Sequence, residues 1–321
     1  MKTMTIVRSS LSRALSAAGA VVLSVLLGLS MAGDASGQAN GEKLFASREN
    51  AADALLAAAE AFDEAAFKEI LGNNSRDITH SGEPVLDREV ASEFARLGRI
   101  KKTFTPDRRN RRMTLLAVGE DDWPFPLPLV KVGNQWRFDT AAGRQEILYR
   151  RVGRNELDAI DICRGYVKAQ HEYASEKRDG AVVNQYAQRI ISTPGRQDGL
   201  AWRNSDGTPA GPIGEEIGQA IQKGYTDKTA PYHGYYFKVL KGQGPAAPLG
   251  QLDFVVKGHM IGGFALIAFP AVYGVTGVKT FMVSHDGVVY EKDLGPDSLA
   301  AAQAIELFNP DRTWSPVLDE Q

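Results

Sequence analysis

An intramolecular disulfide is closed to this chain, because its 321 residues include a single cysteine, Cys163. The fold must therefore be held by its apolar core. Charge of one sign is also scarce. Lys and Arg number 37 against 39 Asp and Glu, a formal net charge of -2, which gives no electrostatic case for a nucleic-acid partner. The local run Arg108-Arg109-Asn110-Arg111-Arg112 has no interleaved aromatics for base stacking and reads as a solvated turn between strands. Catalytic signatures are missing too. The chain has no Gly-x-Ser-x-Gly elbow, no Ser-x-x-Lys pair, no phosphate loop ending in Gly-Lys-Ser or Gly-Lys-Thr, and no dinucleotide fingerprint of spaced glycines. His171-Glu172 lacks the second histidine of a zinc peptidase helix, and Asp179-Gly180 and Asp286-Gly287 lack the alternating carboxylates of a calcium loop.

The first residues do carry a signal. Lys2, Arg8 and Arg13 precede an apolar stretch from Ala17 to Met31, and Ala32, Gly33, Ala35, Ser36 and Gly37 follow it. A positive start, a short apolar middle and a small-residue exit are what a signal peptidase requires, so residues 1–37 are expected to be a secretory leader cut near Ala32 or Gly37. Ser24, Gly28 and Ser30 interrupt the stretch, which is short for a stable bilayer span; an uncleaved anchor is the alternative. No later stretch is long enough to span a membrane. The expected location is periplasmic or secreted.

The pattern after the leader predicts an α+β fold in two domains, at 42–152 and 154–321. Ser47 caps a helix through Leu55 and Phe62, and Asp63 caps a second through Phe67 to Leu71. A short strand is expected over Asp77–Thr79, then a turn at Ser81–Pro84 and a helix from Val85 that Gly98 ends. The period then becomes two, giving antiparallel strands at Ile100–Thr105, Arg111–Val118, Leu127–Val132 and Gln135–Phe138, with a hairpin at Gly133-Asn134. In the second domain a helix over Asn155–Ser175 carries Leu157, Ile160, Cys163, Val167, Gln170 and Ala174 on one stripe, so Cys163 reads as a buried, inert thiol. A long irregular loop, 178–231, with a short helix at Ile213–Ile221, either carries function or moves. Strands follow at Gly234–Lys241, Phe264–Pro270, Val278–Ser284 and Val288–Lys292, with a turn at His285-Asp286-Gly287. Asp297 then caps a last helix through Leu299, Ile305 and Phe308.

Helices followed by a curved antiparallel sheet in the first domain resemble the cone-shaped nuclear transport factor two-like fold. The stretches Gly119–Pro126, Trp136–Arg144, Pro231–Phe237, Met260–Ala265 and His285–Gly295 resemble the bacterial family catalogued as domain of unknown function 2950. That resemblance implies export in Gram-negative bacteria and carries no activity with it. The second half is also similar to type IV pilin and pseudopilin heads, which have a long helix, a "Gly-Tyr" strand entry and an "Asp-Gly-Val" last turn. Here these are the helix, Gly234-Tyr235 and Asp286-Gly287-Val288. No Gly-Phe-Thr-Leu-x-Glu processing site is present, so the likeness implies a pilin-head-like long helix on an antiparallel meander and not filament assembly.

Three constellations could carry chemistry. Glu120, Asp121 and Asp122 beside Trp123 could hold a cation or raise one another's pKa; the plainer reading is an acidic loop with Trp123 plugging the core. Arg137, Arg144, Arg150, Arg151 and Arg154 with Asp139 could receive an anion, or could form ion pairs through Asp139, Glu146 and Glu156. Tyr232, His233, Tyr235 and Tyr236, with His259 and His285, could place three imidazoles for a metal but lack metal-ligand spacing. The plainer reading is loop and turn histidines beside strand aromatics, and the aromatic run could equally face a protein or glycan partner. The expectation is a non-enzymatic envelope interaction or assembly module. It has no catalytic residue, metal or cofactor, its oligomeric state is open, and it works through the 178–231 loop and the Tyr232–Phe237 strand. The alternative is a small-ligand binder or hydrolase-type enzyme using the first domain's cavity, with Asp121, Asp122 and Asp139 as acid–base groups and Arg137 as anion holder.

Overall fold

Side-chain caps start the first two helices. In the computed structural model, which describes residues 41–80, 84–108, 110–213 and 231–318, the Ser47 hydroxyl accepts the Asn50 amide at 3.0 Å and starts α1 (Arg48–Ala61). Phe62 takes the left-handed conformation and turns its amide back to the Ala58 and Ala59 carbonyls, closing that helix. Asp63 then accepts the Ala65 and Ala66 amides and starts α2 (Glu64–Leu71). The expected leader lies outside the described residues. So do Ser81, Gly82 and Glu83 of the expected turn and all of the Ile213–Ile221 helix except Ile213.

The chain divides into two compact units, Met1–Arg150 and Arg151–Gln321, each with helices and an antiparallel sheet among its described residues, and its class is α+β. In the first unit the strand expected at Asp77–Thr79 is instead a helical turn, α3 (Arg76–Thr79), whose Ile78 and Thr79 amides return to the Ser75 carbonyl. Helix α4 (Pro84–Ile100) runs through Gly98 and does not stop there. A β-carbon at Gly98 would overlap the Leu56 side chain of α1, so this glycine permits close helix approach. The antiparallel sheet takes the order β1 (Lys102–Pro106), β2 (Met113–Val118), β4 (Leu129–Val132), β5 (Gln135–Phe138), with β3 (Trp123–Pro124) also paired to β2. Thr114, Leu116 and Val118 of β2 are buried, the alternation that period two demands. Behind them Leu55, Phe67, Ile70, Leu129 and Phe138 form the core, and Phe94 stacks on Phe125 at 4.7 Å.

Helix α5 (Thr140–Ala174) is 35 residues long and begins well before the expected Asn155, because Asp139 accepts the Ala142 amide as its cap. In the second unit its Ala159, Ile160, Cys163, Tyr166, Ala169 and Tyr173 are buried in one core with sheet residues. The segment read as irregular holds three strands among its described residues. β6 (Arg189–Ile191) pairs parallel to β7 (Gly199–Arg203), which pairs antiparallel to β8 (Pro209–Ala210). The main sheet comprises β9 (Tyr235–Leu240), β14 (Ala265–Pro270), β15 (Lys279–Ser284), β16 (Val289–Asp293) and β17 (Ser315–Pro316), antiparallel in the order β17-β16-β15-β14-β9. Between β9 and β14 lie two small pairs, β10 (Gly242–Gln243) with β11 (Leu252–Asp253) and β12 (Val255–Val256) with β13 (His259–Met260). All six residues of β14 are buried, which is why its sequence is apolar without alternation. Helix α6 (Ser298–Ala304) follows Asp297, whose side chain makes no capping bond, and ends at Ala304, short of the expected Ile305 and Phe308.

Candidate functional site

The second unit folds its 178–213 stretch around the end of α5, and a cleft of about 740 Å³ opens there. Its wall is built from α5 outward. Arg178 lies over two rings, with its guanidinium carbon 5.2 Å from the centre of Tyr173 and 4.8 Å from that of Trp202, and its side chain is only 13% exposed. The Tyr173 hydroxyl donates to the Gln197 carbonyl at 2.6 Å. Burial, reinforced by the Asp179 charge, pushes that phenol up to about 12.

Two carboxylates hold the loop together. Asp179, with φ of 51°, accepts the Gln197 amide on both oxygens at 2.9 Å and stands 3.5 Å from Arg196 Nε. Asp198 accepts the Thr193 amide at 2.7 Å and the Thr193 hydroxyl at 2.8 Å, with Arg189 Nε 3.7 Å away. Burial alone would raise the Asp198 carboxyl. The Thr193 donors and the Arg189 charge outweigh it and keep the group below the ordinary carboxylate value. Asp198 is thus held ionised, a structural anchor rather than a proton acceptor.

The other wall is pinned by amides. Gln170 of α5, fully buried, donates to the Ala187 carbonyl and accepts the Ala187 amide, both at 2.8 Å, and also donates to the Tyr166 hydroxyl at 2.8 Å. Neighbouring Tyr186 donates its amide to the Met260 carbonyl at 2.8 Å, and Gln188 donates to the Gly258 carbonyl at 2.7 Å. The His259 ring pairs with Gln185 at 3.2 Å. Lys241, just past β9, also lines the cleft and has no side-chain partner among the described residues. The lining thus sets four cations, Arg178, Arg189, Arg196 and Lys241, against two carboxylates already engaged with backbone amides.

Most of the residues singled out from the sequence lie elsewhere. In the first unit Asp121 and Asp122 are exposed, and Asp122 accepts Lys101 at 2.7 Å and Thr103 at 3.0 Å, which hold its carboxyl low. Asp139 caps α5, so Asp122 and Asp139 serve separate structural partners, while Asp121 stands exposed with no side-chain partner among the described residues. Trp123 is half-buried against Phe125, with Arg150 5.7 Å above its ring. Arg137 faces the buried Glu42 at 3.7 Å, and Arg144 grips Asp77 at 2.7 and 3.1 Å. In the second unit Glu156 accepts the Val278 and Lys279 amides instead of pairing with an arginine. His233 contacts Asp158, and Tyr232 packs beside it. Tyr235, expected as a partner contact, is wholly buried and donates to the Lys279 carbonyl at 2.8 Å. Of the three histidines considered together, His259 is in the cleft, while His285 packs edge-on against Phe254 and Phe264. Among the described residues no three His, Cys, Asp or Glu side chains converge to hold a metal ion.

The family model described as Protein of unknown function (DUF2950) matches residues 42–317. The chain belongs to that family. In this DUF2950 protein the match runs through the whole 178–213 stretch and the strands beside it, so the cleft lies within the family's domain. No curated protein and no solved structure matches the chain. No helix among the described residues is long and apolar enough to cross a membrane.

Proposed function

We propose that this DUF2950 protein is an exported, non-enzymatic recognition module whose binding site is the cleft at the end of α5. Export is supported by the positive, apolar and small-residue order of the first 37 residues. Recognition is supported by one observation above the others. The 178–213 stretch is tied down by Asp179, Asp198 and Gln170 into fixed walls, and the acids in it are engaged by backbone and hydroxyl donors. A preformed cleft with both its carboxylates committed to structure suits binding better than turnover. The long helix against an antiparallel sheet adds fold-level support for a head of the pilin type, at the level of packing alone.

Two measurements test the reading. Subcellular fractionation with determination of the mature amino terminus should find the chain outside the cytoplasm and cut near Ala32 or Gly37. Intact chain beginning at Met1 in the cytoplasm defeats the export part. Thermal-shift screening of the full chain against low-molecular-mass fractions of an envelope extract should give a stabilising fraction whose effect is lost in Arg196→Glu. Stabilisation that survives in that variant moves the site elsewhere.

A further inference from the structure

The cleft's chemistry narrows what it recognises, given the binding role just proposed. Its volume, about 740 Å³, falls within the roughly 300–1,000 Å³ of small-molecule sites and exceeds what one inorganic ion needs. Its charge is unbalanced. Arg189 and Arg196 have side chains 63% and 60% exposed and lie 3.7 and 3.5 Å from their carboxylates, so each keeps N–H donors turned to solvent. Lys241 adds an ammonium group without an ion pair among the described residues. Arg178 lies over two rings, and its exposed partner Glu176, 3.6 Å away, is not part of the lining. An anionic occupant completes these donors, and charge-assisted bonds to guanidinium are the strong ones.

The rest of the lining points to a polyhydroxylated occupant. Gln185, Gln188 and His259 present fixed groups that donate and accept, and Tyr186 stands beside them. The apolar part of the lining comes from Val182, Ile190, Ile191 and Val239 and from the rings of Tyr173 and Tyr186, surfaces on which the C–H faces of sugar rings can pack. We infer that the cleft binds a short oligosaccharide carrying acidic groups, with Lys241, Arg189 and Arg196 taking the anions and the glutamine–histidine wall taking the hydroxyls.

Calorimetric titration of the full chain tests this with short oligogalacturonates as the acidic probe, maltooligosaccharides of equal length as the neutral one, and citrate as an anion without sugar rings. The acidic oligosaccharide should bind about tenfold more tightly than either control. Lys241→Gln and Arg189→Gln should each weaken it about tenfold. The thermal midpoint should be unchanged for exposed Lys241, unpaired among the described residues, and only slightly shifted for exposed Arg189, whose 3.7 Å pair with Asp198 is worth little. Equal binding of the maltooligosaccharide, or of citrate, overturns the acidic-saccharide assignment and leaves a binding cleft in place. Binding that both variants retain overturns the site. No binding of any probe overturns the assignment as well, while an envelope-derived fraction that still stabilises the chain, and fails with Arg196→Glu, keeps the recognition role.

Discussion

The Tyr235 phenol fills the space where Gly277 would otherwise carry a β-carbon, and its hydroxyl donates to the Lys279 carbonyl at 2.8 Å. Tyr235 is fully buried and cannot swing away, so Gly277→Ala should destabilise the fold by about 2 kcal/mol, the usual scale of overpacking. Tyr235→Phe alone should lose about 1 kcal/mol with its hydrogen bond. The double substitution should recover a small part of the alanine's cost, because the hydroxyl is the nearest atom to the new β-carbon while ring carbons at 2.6 and 2.7 Å remain. Urea unfolding of the four proteins measures the coupling; strictly additive losses would contradict the steric account.

Gln170 is the one buried amide on the α5 stripe, and the sequence alone gives no reason for it. The structure supplies one, since both of its bonds to Ala187 fix the chain beside the cleft. Gln170→Met keeps much of the volume and strands two backbone groups, so a loss of about 3 kcal/mol is expected. Any ligand of the cleft should also bind more weakly to this variant. A stable variant with a displaced Tyr186 wall would separate positioning from stability, and solution NMR shifts of residues 185–189 would report it.

Two carboxylates should respond to pH in opposite senses. Asp198 has a lower pKa folded than unfolded, so its stabilisation is complete above the ordinary carboxylate value and fades as pH falls through the lower, folded one. Glu156 is raised, chiefly by burial and against the Val278 and Lys279 amides that it accepts. Its contribution is therefore greatest below the unfolded value and declines as pH rises through the folded one. Asp198→Asn should flatten the acid limb of the stability profile. Glu156→Gln, which keeps an acceptor oxygen, should leave neutral-pH stability equal or slightly higher. Denaturant titrations between mildly acidic and neutral pH check both signs.

Cys163 is completely buried, and burial pushes its thiol up to about 12. Alkylation of the native protein at neutral pH should be negligible and should begin only with unfolding. Mass spectrometry after iodoacetamide treatment, with and without urea, checks this; rapid native labelling would mean that the α5 face opens.

Much of the fold was legible because its signals are local. Ser47 and Asp63 cap where their side chains demand, and β5 follows its two-residue period without error at either end. The first fifteen residues of α5 were not read as helix, since the apolar stripe was followed only from Leu157 onward. A β-carbon at Gly143 would press into Leu127, so that glycine serves helix packing, which is not visible in one dimension. The cleft was half legible. The 178–231 stretch stood out by its length, and its arginines were in plain view. Strands as short as β6 and β8 acquire their order only from partners elsewhere in the unit, so the stretch read as loop. Tyr235 misled for a related reason, since an aromatic beside a turn looks exposed until the sheet is assembled.

Asp179 and Asp198 grip backbone amides, so they cannot turn fully toward the arginines beside them, and the cleft keeps a standing positive potential set by the fold itself. Such a field weakens as dissolved ions crowd in, with a screening length of about 10 Å at 0.1 M salt. Occupancy of the cleft by any anion should then follow the ionic strength of the fluid around it, filling when the surroundings are dilute and emptying when they are saline.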